Sequence, residues 1–189
     1  MKPLDALQAA LGHRFDDPAR LTEALTHASA DARRSNERLE FLGDRVLGLV
    51  VAEELIRRFP QSEEGELAVR LNALVRKETC ARVALETGIN AHIILAPGER
   101  QAGGGAKKAV LGDACEAVIA ALYLDGGLPA AKHFILSAWK ADFEDSAAVG
   151  RDQPVVAQRR QLGHRPVVDG PRIEGVQVDL GGALEARQG

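Results

Sequence analysis

Aromatic residues and cysteines are scarce in this chain of 189 residues, and so are long hydrophobic runs. Phe, Trp and Tyr make up only 4% of the chain, whereas hydrophobic residues make up 46%, so the core must be built from Ala, Leu, Val and Ile. Aliphatic side chains of this size favour closely packed helices over a sheet sandwich. The composition therefore predicts an all-α fold with one main domain.

The other scarcities exclude several classes of protein. Cys80 and Cys115 lie far apart and belong to no CxxC or Cys/His pattern, so we expect two buried thiols rather than a disulfide or a zinc site. No segment approaches the roughly 20 apolar residues that a membrane span requires. The N-terminus also lacks the apolar run of a signal peptide. These features predict a cytoplasmic protein that is not associated with a membrane.

The chain also lacks a positive net charge. Its formal charge is -3, whereas a nucleic-acid-binding surface is normally basic. The argument against a nucleic-acid partner is nevertheless weak, because acids that hold a divalent metal lower the net charge without repelling a polyanion once the metal is bound. Basic pairs recur along the chain, and each one by itself is best interpreted as a solvated helix end: Arg33-Arg34, Arg57-Arg58, Arg76-Lys77, Lys107-Lys108 and Arg159-Arg160.

Helix signals divide the chain into an ordered part and a tail. Asp17 followed by Pro18 predicts a helix start, Phe59-Pro60 a helix end, and Ser62 the cap of the next helix. The remaining pattern predicts helices over residues 37–58, 63–75, 78–86, 110–125 and 129–144, with a loop over residues 89–108. Residues 146–189 are rich in Gly, Pro and Arg, which predicts a linker and an irregular tail.

Acidic residues share one side of the helix predicted over residues 37–58. At about 100° per residue, Glu37, Glu40 and Asp44 fall within an arc of roughly 60°, and Leu39, Leu42, Val46, Leu49 and Val50 lie opposite. For this helix alone, a solvated surface would explain the pattern. The absence of lysine on the acidic side weakens that explanation, since solubilising faces usually mix both signs of charge.

The helix that follows residue 109 repeats this arrangement with Asp113 and Glu116. Small residues, including Gly112 and Ala117, surround the two acids, so another helix can cover this side. Buried carboxylates without a partner are costly. A bundle that gathers Glu40, Asp44, Asp113 and Glu116 therefore implies a cation. Oxygen ligands without His or Cys select Mg²⁺ or Mn²⁺, and such sites commonly serve phosphate chemistry.

Several segments resemble one known family. Residues 36–47 read NERLEFLGDRVL, which resembles the signature of the ribonuclease III family of double-stranded-RNA endonucleases. The similarity continues in order over about 145 residues, through LTHAS at 25–29, RFPQSEEGEL at 58–67, LVRKETCARVA at 74–84, LAPGE at 95–99 and GGGAKKAVLGDACEAVIAALYLDGG at 103–127.

The resemblance implies an all-α nuclease domain over residues 1–145 that forms a homodimer and cleaves double-stranded RNA. It implies hydrolysis with Mg²⁺, or Mn²⁺ as a substitute, to 5′-phosphate and 3′-hydroxyl ends in the processing of ribosomal and other RNA. Residue by residue, Glu40, Asp113 and Glu116 match the metal ligands, and Asp44 and Glu116 the catalytic acids. Glu37 and Glu64 match the supporting acidic positions of the motif set.

The tail departs from the pattern of the family. Bacterial members usually carry a C-terminal double-stranded-RNA-binding domain, and residues 146–189 are too few and too rich in Gly and Pro to form a complete one. Either the protein is a natural short form or its reading frame or expressed segment differs here. Three alternatives stay open: a short enzyme that matures ribosomal RNA precursors, a non-catalytic assembly factor that binds structured RNA, and a purely structural helical bundle.

Overall fold

The computed structural model describes residues 3–149, with side chains through residue 146, and the statements below concern that part of the chain. It forms a helical domain, as predicted, and Thr26 and Ile94 form an isolated bridge. The tail predicted over residues 146–189 starts too early, because residues 146–149 belong to the helix Lys140–Val149. The rest of the predicted tail, from residue 150 onward, lies outside the described residues. The α-helices are α1 (Asp5–Leu11), α2 (Pro18–Ala24), α3 (Glu37–Arg58), α4 (Glu64–Val75), α5 (Lys77–Glu86), α6 (Pro97–Gln101), α7 (Lys108–Ala138) and α8 (Lys140–Val149).

Some helix ends follow the local chemistry of the sequence. The Asp17 carboxylate accepts a hydrogen bond from the Ala19 amide at 3.0 Å and caps α2, and Pro18 is the first residue of that helix. The predicted bounds of α3, residues 37 and 58, are confirmed. The predicted cap at Ser62 is wrong. Glu63 has an extended backbone, so α4 begins one residue later, at Glu64, without a side-chain cap.

The loop predicted over residues 89–108 is only partly a loop. It contains α6 and two 3-10 turns, Ile89–His92 and Gly104–Ala106. The turns follow Gly88 and Gly103, which both have φ of 78°, a left-handed conformation that favours glycine. Pro97 starts α6 with its fixed φ. Turns this short have no apolar periodicity, so the sequence pattern could not reveal them.

The longest helix, α7, bends at the predicted glycine pair. Gly127 has φ of 71° and ψ of -175° and interrupts the helical backbone. The helix predicted over residues 129–144 is in fact divided at Trp139, whose side chain is fully buried. The indole nitrogen donates a hydrogen bond to the carbonyl of Leu74 at 2.9 Å. None of the described helices, α7 included, has the length and hydropathy to cross a membrane.

The core surrounds the first half of α7, which packs against α3 on one side and α5 on the other. Leu, Val, Ile and Ala side chains dominate it, as the composition predicts. Cys80 and Cys115 are buried thiols, as expected. The prediction of Leu49 as a core residue is wrong, since its side chain is 58% exposed. The part of the α3 surface that α7 covers is narrower than the apolar spacing indicates.

Candidate active site

Two helices bring the predicted acids together because their backbones approach closely. A Cβ atom added at Gly43 of α3 would overlap the backbone carbonyl of Glu116 in α7. Only glycine permits this contact between the two helices. The acidic side of α3 therefore meets the acidic side of α7, and the carboxylates face a common centre.

Three carboxylates form the centre of the site. Glu40, Asp113 and Glu116 each offer one oxygen, and these three oxygens lie within 4.8 Å of one another. Glu116 is 5% exposed, whereas the other two are half-buried. A divalent cation that prefers oxygen ligands fits this donor set, because three anionic oxygens converge from rigid helices and none of the three residues is His or Cys.

The remaining predicted acids occupy different places. Asp44 and Glu37 line the same open cleft, of about 360 Å³, as Glu40 and Glu116. Asp44 forms an ion pair with Arg45, and Glu37 accepts a hydrogen bond from the Ser35 hydroxyl at 2.9 Å. Glu64 is exposed in the first turn of α4 and does not line this cleft. Four of the six predicted acids thus line one cleft, and Asp113 joins them through its contact with the central cluster, whereas Glu64 does neither.

Lys77, the first residue of α5, lies among the central carboxylates. Its ammonium group donates to Glu40 Oε1 and to Glu116 Oε2, both at 3.1 Å, and also pairs with Asp113. The interpretation of the Arg76-Lys77 pair as a solvated helix end is wrong for the lysine. In the sequence, Arg76-Lys77 is one of several similar basic pairs, so nothing in its pattern distinguished Lys77 as a site residue.

At this site, burial and ion pairing shift the pKa values of the charged groups in opposite directions. Burial of Glu116 raises the pKa of its carboxyl group, and neighbouring Glu40 and Asp113 raise it further, while Lys77 acts in the opposite direction. Burial alone would lower the pKa of Lys77, but hydrogen bonds to Asp113 and Glu40 and the charge of Glu116 outweigh it, so that pKa is raised. The site therefore favours a bound positive charge.

The Cys80 thiol lies behind Glu116, with Sγ 3.9 Å from Oε1. Cys115 is also buried behind the site, and the contact with Cys80, together with burial, raises the pKa of the Cys115 thiol well above its ordinary value. A neutral thiol there is an inert packing group. The carboxylate side of the cluster, which opens to the cleft, is the side available for chemistry.

A carboxylate cluster on two packed helices beside an open, polar cleft is an arrangement suited to a nuclease. The family model described as Ribonuclease-III-like matches residues 17–142. Ribonuclease 3 of Dinoroseobacter shibae is 52% identical over 159 residues, which cover 83% of this chain and 69% of the relative. Ribonuclease 3 of Cereibacter sphaeroides is 50% identical over 157 residues, which cover 82% of this chain and 69% of the relative.

Solved structures agree with these relatives. The nuclease domain of ribonuclease III from Campylobacter jejuni has a TM-score of 0.73 and 37% identity, covering 75% of this chain and 99% of that domain. Dicer from Pichia stipitis has a TM-score of 0.54 and 26% identity, covering 69% of this chain and 57% of that protein. The fold and the site define a helical endoribonuclease, a hydrolase. The chain belongs to the ribonuclease III family.

Proposed function

We propose that this protein hydrolyses phosphodiester bonds of double-stranded RNA with the help of Mg²⁺, for which Mn²⁺ can substitute, and leaves 5′-phosphate and 3′-hydroxyl ends. The observation that carries the proposal is the convergence of the Glu40, Asp113 and Glu116 oxygens within 4.8 Å at an open cleft. Such a site accepts a hard cation on one side and a polyanion on the other.

Each acid has a defined place in this proposal. Glu40, Asp113 and Glu116 would hold the ion, which when bound supplies a Lewis acid that acidifies water and neutralises phosphate charge. Asp44 and Glu116 are the catalytic acids. Asp44 lines the cleft and can orient the attacking water or accept its proton, and the buried Glu116 is held rigidly by α7. Glu37 at the cleft and the exposed Glu64 support substrate handling.

A second cleft is suited to the RNA backbone. It has about the same volume as the carboxylate cleft and shares no residue with it. Its charged lining residues are three arginines, Arg20, Arg34 and Arg38, and two acids, Asp17 and Glu23. Guanidinium groups match the geometry of phosphate oxygens. The excess of arginines over acids in this cleft supports an RNA substrate in spite of the net negative charge of the chain.

The proposed active form is a homodimer. Phe41, Leu49 and Ile56 lie on one side of α3, and each is more than half exposed. We call these three side chains the apolar face. The nuclease domain of the Campylobacter jejuni enzyme has a region involved in dimer formation. A second copy of this chain is the proposed partner of the apolar face, because large exposed apolar side chains in a row are typical of an interface.

The domain division belongs to the same proposal. Residues 1–145 would form the nuclease domain, and residues 146–189 would not form a complete RNA-binding domain. The match of the family model to residues 17–142 supports this division. The proposed setting is the cytoplasm, in the processing of ribosomal and other RNA. Maturation of ribosomal RNA precursors by a short form is the alternative within the same enzyme class.

One assay tests the proposal. The purified protein is incubated with long duplex RNA in Mg²⁺, in Ca²⁺ and in chelator, and the products are sized. Short duplexes in Mg²⁺ alone are expected. RNA that is retarded but never cut would contradict the proposal and favour a non-catalytic binding protein. Cleavage confined to ribosomal RNA precursors would favour the short maturation enzyme.

Replacement of the shared acid tests the site. Glu116→Gln keeps the size of the side chain but removes its charge, so the variant should fold and dimerise while cleavage falls by at least about a hundredfold. Glu53→Gln is the matched control, because Glu53 lies on α3 and pairs only with Lys132 in the described structure. Substantial Mg²⁺-dependent cleavage by Glu116→Gln would refute the assignment.

A further inference from the structure

One cation already contacts all three central carboxylates. The Lys77 ammonium has three N–H donors, and it meets three acids from two different helices: Glu40 of α3, and Asp113 and Glu116 of α7. Each of these acids uses the ammonium as an ion-pair partner. The oxygens that fit a divalent ion are therefore the same groups that the lysine binds.

The backbone of α7 positions the aliphatic part of the Lys77 side chain. A Cβ atom added at Gly112 of α7 would overlap Cδ and Cγ of Lys77. The absence of a side chain at residue 112 thus lets the aliphatic stem lie directly against the α7 backbone. The extended backbone of Arg76 starts α5 immediately before the lysine and aims it at the acids. Packing and charge together hold the ammonium in the cluster.

The charge of the cluster explains the need for such a partner. Three carboxylates within 4.8 Å repel one another strongly, and Glu116 is almost fully buried. An unpaired charge in such a place is costly, whereas a shared cation offsets the repulsion. In the described part of the chain, Lys77 is the basic residue that is paired with all three acids.

We propose that Lys77 is an internal counter-ion of the active site, which offsets part of the negative charge of the three carboxylates until a divalent cation displaces its ammonium group. This inference rests on the proposed metal site. It assigns Lys77 a role in setting the affinity for metal, because the incoming ion must compete with the lysine for Glu40, Asp113 and Glu116. Removal of the lysine should therefore make the fold more dependent on metal and the metal binding tighter.

The test compares Lys77→Met with the wild type and with Lys132→Met. Lys132 is a matched control, since its side chain is also 37% exposed and its ammonium forms an ion pair, at 2.8 Å, with Glu53 away from the cleft. Thermal melts in chelator and in increasing Mg²⁺, together with titration calorimetry, measure stability and affinity without reference to cleavage.

In chelator, Lys77→Met should melt several degrees below the wild type, because the acids lose their counter-ion. Its half-saturating Mg²⁺ concentration should be lower by roughly tenfold. Lys132→Met should bind Mg²⁺ like the wild type. Lys77→Arg keeps the positive charge and should return the Mg²⁺ affinity towards that of the wild type. A Lys77→Met protein that folds only when Mg²⁺ is added would also support the inference.

Equal Mg²⁺ affinity in Lys77→Met and the wild type would overturn the role of the lysine while leaving the metal site intact. A wild type that shows no response to Mg²⁺ would overturn the metal site and the lysine inference together. A Lys77→Met protein that stays unfolded even in Mg²⁺ would overturn it too, since the lysine would then be needed for more than its charge.

Discussion

Two glycines in α3 should respond in opposite ways to the same substitution. Gly43 lies against the Glu116 carbonyl of α7, so the methyl group of Gly43→Ala would enter the backbone of another helix. For Gly48, five residues further along α3, an added Cβ would have nothing within 4 Å apart from its own chain neighbours and the nearby backbone of α3. Alanine has the same helix propensity at both positions, so the difference between Gly43→Ala and Gly48→Ala measures the effect of the close approach between α3 and α7.

The size of each effect follows from these surroundings. Overpacking against an unyielding backbone costs about 3 kcal/mol, and the higher helix propensity of alanine returns about 1 kcal/mol, so Gly43→Ala should lose about 2 kcal/mol of stability. Gly48→Ala keeps the propensity gain without the overlap and should be more stable by up to about 1 kcal/mol. The Gly43→Ala protein should also bind Mg²⁺ less tightly, because the two helices must move apart and Glu116 moves with α7.

Urea unfolding followed by circular dichroism measures both free energies. With a denaturant slope of about 2 kcal/mol/M, the midpoint of Gly43→Ala should fall by about 1 M and that of Gly48→Ala should rise slightly. Calorimetric titration with Mg²⁺ measures the change at the site. A Gly43→Ala protein as stable as the wild type, or shifts of the same sign for both variants, would refute the close approach as the basis of the site.

Two further predictions concern other parts of the molecule. Hydrogen bonds from Arg57, opposed by burial, lower the pKa of Glu54 from its usual 4.5 to about 2. After allowance for solvent screening, Glu54→Gln should lower the free energy of unfolding at pH 7 by about 1–2 kcal/mol. This stabilisation is present above pH 4.5 and is lost as the pH falls towards 2. Urea titrations should therefore show the unfolding free energies of the variant and the wild type converging in acid. A difference that stays constant with pH would contradict the assignment. Phe41→Asp should weaken the dimer at least tenfold in sedimentation experiments, whereas Val69→Asp, at a residue of similar exposure on α4, should not. Equal effects of the two would count against the apolar face.

The sequence by itself determined most of the long helices and indicated which acids could form a site. Periodicity and helix-stopping residues are local features, so the bounds of α3 and the start of α2 at Pro18 followed from neighbouring residues alone. The spacing of acids on two helices indicated a cation site, and the motif at residues 36–47 indicated the ribonuclease III family. Each of these inferences needed only short runs of residues within one helix or the comparison of two such runs.

Only the tertiary structure decided which groups meet. The contact of Gly43 with Glu116 joins residues 73 positions apart, and no local pattern specifies it. Lys77 looked like any other basic helix end, because its partners come from α3 and α7 rather than from its own helix. Leu49 has the spacing of a core residue but is exposed. Its burial depends on how much of the α3 surface α7 covers, which periodicity does not specify. Distances between helices arise from packing across the whole core, so the sequence could name the acids of the site but not the lysine that binds them.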